Sequence, residues 1–243
     1  MNIILLPPQA NQEKNLEKTC IINDLNTIYH IKNVLKANSG DSLKIGIENG
    51  NLGTATVADI SPTELTLTAI DCQNPPPNKL PLSVVLALPR PKVLRRLVLD
   101  MTAMGVKQLI LVNSYRTEKS YWHSPLLSKI DDYIKEGLQQ ACDTIPMQVR
   151  CYPRLKPFVE DEFQPLFSHH QALIAHPYAD ANFSDIVHYA QDTVLVIGAE
   201  GGFIDYEVDL FARHGCTPVK IGERILRTEN AVSVLCGGFL INQ

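Results

Sequence analysis

Three consecutive prolines, Pro75 to Pro77, lie inside the segment QNPPPNKLP at residues 73–81 and divide the 243-residue chain into two parts. Proline lacks an amide donor and fixes φ, so a run of three supports neither a helix nor a ladder and reads as a linker. A short first domain, 1–72, and a longer second one, 82–243, follow from that break.

The two parts are patterned differently. Before the linker, β-rich runs at Asn2–Leu6, Ser42–Ile47, Thr54–Ile60 and Glu64–Ala69 are separated by turn signals such as Glu48-Asn49-Gly50-Asn51 and Ser61-Pro62. They predict a small β-barrel-like domain. Between them His30–Lys36, HIKNVLK, has helical spacing of Ile31, Val34 and Leu35, with Gly40 as a break. After the linker, apolar runs at Leu82–Leu88, Leu109–Val112, Met147–Tyr152, Ala172–Ala175, Val194–Ile197 and Pro218–Ile221 alternate with helical segments, which predicts an α/β domain with a mostly parallel sheet covered on both faces. One helix is expected to open at Ser124-Pro125, an N-cap followed by proline.

Composition excludes several classes of protein. With 45% hydrophobic and 20% charged residues the chain is neither disordered nor fibrous. The start, MNIILLPPQANQEKN, is too short in apolar residues for a leader peptide, and no window approaches a membrane span, so a cytoplasmic protein with no membrane partner is expected. Cys20, Cys72, Cys142, Cys151, Cys216 and Cys236 form no C-x-x-C pair and read as reduced, mostly core thiols; His169-His170 reads as surface loop, and no metal site is expected.

The net charge of −4 argues on average against nucleic acid, yet four of the seven residues from Arg90 to Arg96 are basic. Lys92, Arg95 and Arg96 share one helix face by their spacing. The patch is either a solvated surface or an RNA-facing one.

Two glycine-containing turns follow predicted strands, where α/β sheets bind ligands. One is Val196-Ile197-Gly198-Ala199-Glu200-Gly201-Gly202; the other runs from Lys220-Ile221-Gly222 through Glu223-Arg224-Ile225-Leu226-Arg227 to Thr228-Glu229-Asn230-Ala231. Neither is a dinucleotide fingerprint or a P-loop, and no G-x-S-x-G elbow occurs. The first turn can expose backbone groups to a flat ligand, or it can be a tight strand-to-helix turn capped by Asp205. In the second, Arg224, Arg227 and Glu229 punctuate an apolar stretch, where charged groups are expected to be paired or used.

The pair IGAEGGF and IGERILRTENA resembles the signature of the ribosomal RNA small subunit methyltransferase E family, IGPEGG followed by LG-x-RILRTETA. HIKNVLK before Gly40-Asp41 is similar to that family's H-I-x-x-V-L-R, Met104-Gly105-Val106 to its L-G-V, Ser114-Tyr115-Arg116 to its S-E-R, and Ala175-His176-Pro177 to its strand-end H-P. The resemblance implies an N-terminal PUA-like RNA-binding barrel and a C-terminal SPOUT domain with a trefoil knot, working as a homodimer. It further implies S-adenosylmethionine as cofactor and N3-methyluridine in 16S rRNA as product.

Carried over by motif, the cofactor residues would be Ala175, His176, Ile197, Gly198, Glu200, Gly201 and Gly202, with Ile221, Gly222, Leu226, Arg227, Glu229, Asn230 and Ala231 from the second turn. RNA would meet Lys36, Arg90, Lys92, Arg95, Arg96, Arg116 and Lys119. The catalytic pair would be Arg227 and Glu229. Methylating uracil N3 requires loss of its proton, with negative charge spreading onto O2 and O4, and a preorganised guanidinium would stabilise that charge. Glu229 or Glu200 could take the proton, or either could pair with Arg224 or Arg227. The chain departs from the family pattern at Asp100 and Ala103 (for K-x-x-E), at Asp143 (for the arginine of E-Q-x-x-R), and at Ala199 and Asn230. Asp100, Ala103 and Asp143 leave the target nucleotide open; Ala199 and Asn230 matter less, since backbone contacts at these turns do not depend on them. A methyltransferase of the same fold for another RNA nucleotide, or a catalytically silent RNA-binding protein, are the rival readings.

Overall fold

A computed structural model describes residues 2–8 and 19–242. The N-terminal stretch expected not to be a leader peptide lies partly in residues 9–18, outside the described residues. The chain forms two units: Met1–Pro77 with Lys135–Pro146, and Asn78–Ile134 with Met147–Gln243. The change of unit after Pro77 lies inside the expected 73–81 segment. The second part, expected to run unbroken over 82–243, instead lends Lys135–Pro146 to the first unit. Backbone bonding explains the loan: the Asn2 and Ile3 amides both donate to the Gln139 carbonyl, and the Thr144 hydroxyl donates to the Gly50 carbonyl.

In the first unit β1 (Ile4–Leu6), β2 (Cys20–Ile22), β3 (Ser42–Ile47), β4 (Leu52–Ile60) and β5 (Leu65–Asn74) form one curled sheet of order β1-β3-β4-β5-β2. All neighbours are antiparallel except the parallel pair β1 and β3. β1 and β2 stand at the two ends of this order among the described residues, and the barrel-like domain that the alternation predicts is a curled half-barrel. The predicted helix at His30 begins earlier, as α1 (Leu25–Tyr29), because the Asp24 carboxylate accepts the Thr27 amide and caps it; a π turn continues it over His30–Val34. Ile28 and Ile31 then reach the core beside Ile45, Val57, Leu65 and Leu67.

The second unit holds β6 (Leu82–Ala87), α2 (Pro91–Met104), β7 (Gln108–Val112), α3 (Ile130–Ala141), β8 (Gln148–Tyr152), α4 (Leu155–Pro157), α5 (Phe163–Phe167), β9 (Gln171–Ala175), β10 (Ala181–Asn182), α6 (Phe183–Ile186), β11 (Thr193–Ile197), α7 (Asp205–Arg213), β12 (Thr217–Lys220) and α8 (Thr228–Ile241). The α3 segment crosses into the first unit at Lys135. All seven strands are parallel, in the order β10-β12-β9-β11-β6-β7-β8. Each of the six predicted runs is one of these strands. The run of β6 is buried at every position, as a strand covered on both faces must be.

A cluster of Phe158, Phe163, Phe167, Phe203 and Phe211 packs with Val85, Ile110, Ile174 and Val196 of the sheet. Elsewhere α2 packs against α8, Leu97, Val98 and Met101 of the one and Leu235, Cys236 and Phe239 of the other being fully buried. Burying side chains of this size contributes about 1.5–3 kcal/mol each. Pro91 at the first turn and Gly105, left-handed at φ 87°, bound α2. The Ser124-Pro125 start is displaced: Ser124 Oγ accepts the Leu126 amide, a 3-10 turn spans Leu127–Lys129, and α3 proper begins at Ile130. All six cysteines are free thiols.

Candidate functional site

Three adjacent parallel strands, β11, β9 and β12, end together, and their carboxyl-terminal loops enclose a cleft of about 260 Å³. Ala175 and His176 come from the end of β9, the glycine loop from the end of β11, and Lys220 to Gly222 with Arg224 to Leu226 from the end of β12. The loops are tied to one another. The His176 amide donates to the Val219 carbonyl at 2.9 Å, and the Thr228 hydroxyl, at the start of α8, donates to the Gly198 carbonyl at 3.2 Å.

Glycine is required in this wall for a steric reason. A Cβ at Gly198 would stand 3.0 Å from Gly202 Cα and 3.2 Å from Phe203 N, both backbone atoms, and Gly202 itself is left-handed at φ 66°. At Gly202 and Gly222, by contrast, an added Cβ would meet nothing within 4 Å. The backbone there is bare toward open space, as a cradle for a flat, largely apolar ligand needs.

Of the expected cofactor residues, Ala175, His176, Ile197, Gly198, Glu200, Gly201, Gly202, Ile221, Gly222, Leu226 and Ala231 line this one cleft. Arg227, Glu229 and Asn230 do not. Arg227 is the residue before α8, and its side chain is exposed. The stretch between Arg224 and Arg227 lies open, with Ile225 itself 69% exposed, so the expected need for a buried cation to be paired does not arise here. Nor does Arg227 pair with Glu200 or Glu229 among the described residues. Glu200 lines the cleft and accepts the Arg90 amide at 3.1 Å, while Glu223, not an arginine, is the ion-pair partner in this loop, held by Lys220 at 2.9 Å. Asp205 is the first residue of α7 and not its cap; Ile204 precedes it, with its amide donated to the Glu207 carboxylate.

The basic residues of the second unit, Arg90, Lys92, Arg95, Arg96, Arg116 and Lys119, are all exposed. Arg95 lies over the Tyr133 ring at 5.4 Å. Arg116 also lines the cleft, with its Nη1 donating to the Gly201 carbonyl at 2.5 Å. Burial lifts the Asp100 carboxyl above its usual value, with the nearby Arg96 opposing. Lys36 is exposed in the first unit, in the left-handed region at φ 56°. Asp143, which stands where the family pattern has an arginine, is buried and accepts the Thr144 and Ile145 amides of its own turn. Among the described residues no group of His, Cys, Asp and Glu could hold a metal, and no helix is long and apolar enough to cross a membrane. Sequence reasoning did not single out Tyr178, Phe203 or Thr228 at the cleft; Tyr178 lies outside both glycine turns, while Phe203 directly follows the first and Thr228 lies within the second.

A cleft of this kind at the strand ends of a parallel sheet, together with a separate small β unit, matches RNA methyltransferases: the family model for the RNA methyltransferase domain covers residues 76–239, and that for the RNA methyltransferase PUA domain covers residues 22–70. The ribosomal RNA small subunit methyltransferase E of Treponema pallidum is 31% identical over all of this chain and 91% of its own length. The corresponding enzyme 1 of Borreliella burgdorferi is 28% identical over 68% of this chain and 71% of its own. The chain belongs to the ribosomal RNA small subunit methyltransferase E family. Its fold is shared, at 18% identity and a TM-score of 0.78 over 100% of this chain and 98% of the other, with a family member from Neisseria gonorrhoeae determined bound to S-adenosyl methionine. A Legionella pneumophila methyltransferase in complex with the same cofactor is similar, at 20% identity and a TM-score of 0.79 over 100% and 98% of the two chains.

Proposed function

We propose that this protein uses S-adenosylmethionine to methylate N3 of a uridine in 16S rRNA, acting as a cytoplasmic homodimer on the small ribosomal subunit. The observation that carries the reading is the glycine-walled cleft shared by the ends of β11, β9 and β12 in a chain of this family. The cleft suits the cofactor: Gly202 and Gly222 leave bare backbone facing open space, and Ile197, Leu226 and Ala231 supply apolar contact. When bound, the cofactor supplies an electrophilic methyl group.

The protein's own residues do the rest. The strand-end loops hold the ligand through backbone groups and keep it in place. The Arg227 guanidinium, which spends none of its donors on a described residue, is free to meet charge developing on uracil O2 or O4. Of the two candidate carboxylates Glu200 is the better placed to accept the N3 proton, since it lines the cleft and Glu229 does not. Lys92 and Arg96 on α2, with Arg116 and Lys119, offer phosphates a basic approach.

Mass spectrometry of nucleosides from wild-type and deletion-strain rRNA tests this. The expected result is loss of N3-methyluridine, restored by the wild-type gene. Loss of a different methyl mark would assign another nucleotide, and no change would leave an RNA-binding protein without this activity.

A further inference from the structure

Glu207 is one of two carboxylates buried among the described residues, at 4% exposure, and none of the roles above uses it. The other, Asp143, accepts the Thr144 and Ile145 amides of its own turn. Glu207 is divided between two places. Its Oε2 accepts the Ile204 amide at 3.0 Å, three residues back, which a helix-capping role explains. Its Oε1 accepts the Tyr115 amide at 2.7 Å, 92 positions away in the loop after β7, which capping does not explain.

That loop is pinned at several points. The Thr117 hydroxyl donates to the Leu88 carbonyl at 3.2 Å and stands 3.0 Å from the Ser114 hydroxyl, and the Thr117 amide closes the turn on the Ser114 carbonyl. Arg116 projects from it across the glycine loop. Its stem lies so close that a Cβ on Gly201 would stand 2.9 Å from Arg116 Cβ, and its guanidinium holds the Gly201 carbonyl.

We propose that Glu207 is a positioning residue: by holding the Tyr115 amide and the Ile204 amide at once, it fixes Arg116 against the glycine loop and so sets one wall of the cofactor cleft. The proposal rests on reading that cleft as the S-adenosylmethionine site. A carboxylate suits the task because both oxygens accept. In Glu207→Gln the shape is kept, but one amide must face an NH₂ group. A buried donor left without an acceptor shifts a local equilibrium about ten- to a hundredfold.

Two measurements test this. In ligand-free protein, trypsin should cut after Arg116 at least about tenfold faster in Glu207→Gln than in wild type, with no change at Arg150, an exposed residue of β8. Faster cutting at both sites, or at neither, overturns the proposal, the former by showing a general stabilising role. By calorimetry, Glu207→Gln and Arg116→Ala should each weaken S-adenosylmethionine binding about tenfold, and the double variant should bind no more weakly than Arg116→Ala alone. Additive losses overturn a route through Arg116. Should the wild type fail to bind S-adenosylmethionine, the cofactor reading falls, while proteolysis still decides the role of Glu207.

Discussion

Replacing Gly198 by alanine adds one methyl group where there is no room for it. The obstructing atoms, Gly202 Cα at 3.0 Å, Gly202 C at 3.2 Å and Phe203 N at 3.2 Å, are all backbone, so no change of rotamer relieves the contact. The loop must open by several tenths of an ångström, at a cost typical of overpacking, about 1–3 kcal/mol. For a chain of this size each 1 kcal/mol lowers Tm by about 2–4 °C, so the ligand-free variant should melt roughly 2–12 °C below wild type. If the opened loop must be closed again to grip the ligand, the same energy weakens S-adenosylmethionine binding by about 5- to 150-fold. Gly222→Ala is the matched comparison, since its Cβ meets nothing within 4 Å. It should keep the wild-type Tm and lose affinity only because it intrudes on the cleft. Thermal melts and calorimetric titration of both variants decide the matter. Wild-type Tm and affinity for Gly198→Ala would refute the steric argument, and unchanged binding by Gly222→Ala would remove that residue from the ligand wall.

Arg227→Ala should lower turnover by on the order of 10²–10³ while Tm and S-adenosylmethionine affinity stay near wild type, because the side chain is exposed and makes no ion pair among the described residues. A variant with normal single-turnover methylation, or one that unfolds, would remove it from the mechanism. Reversing Lys92 and Arg96 to Glu should weaken RNA binding and flatten its salt dependence without touching cofactor affinity; an unchanged slope would make the patch a solvated surface. Burial pushes the Cys236 thiol up to about 12 and raises that of Cys216 as well. Neither should react with iodoacetamide at pH 8 until the protein unfolds, and peptide mapping would reveal any earlier labelling.

The apolar runs placed six strands of the second unit, most plainly β6 and β11, which are covered on both faces and buried throughout; β8 and β12 were caught although Arg150 of β8 is exposed and β12 is buried only at Val219. Periodicity could not find β2 or β10, three and two residues long, which lack a repeat to detect. The stretch from Leu155 to Phe167 was not read as helical either: it is two short helices joined by a π turn, with Pro157 and Pro165 interrupting what would otherwise be one helix. At the site, the glycines were legible because a tight turn at a strand end has few alternatives. The chemistry of the arginines was not, since exposure depends on how the 220–228 loop lies and not on its neighbours in sequence. Glu207 was hidden for the same reason: on α7 it looks like any surface carboxylate, and its second partner is 92 residues away.

The loan of Lys135–Pro146 to the first unit also has a meaning for the order in which the molecule is made. As the chain leaves the ribosome, Met1–Pro77 is complete long before residue 146 has been added, and at about 5–20 residues per second the gap is on the order of 10 s. Until then the Asn2 and Ile3 amides lack the Gln139 carbonyl and Gly50 lacks the Thr144 hydroxyl. A nascent chain stalled near residue 100 should therefore carry a poorly protected first sheet, and one stalled beyond residue 180, which leaves room for the exit tunnel, a protected one. The small unit matures only after a good part of the larger one has been synthesised, so gene fragments that end at the proline run separate it from part of its own structure.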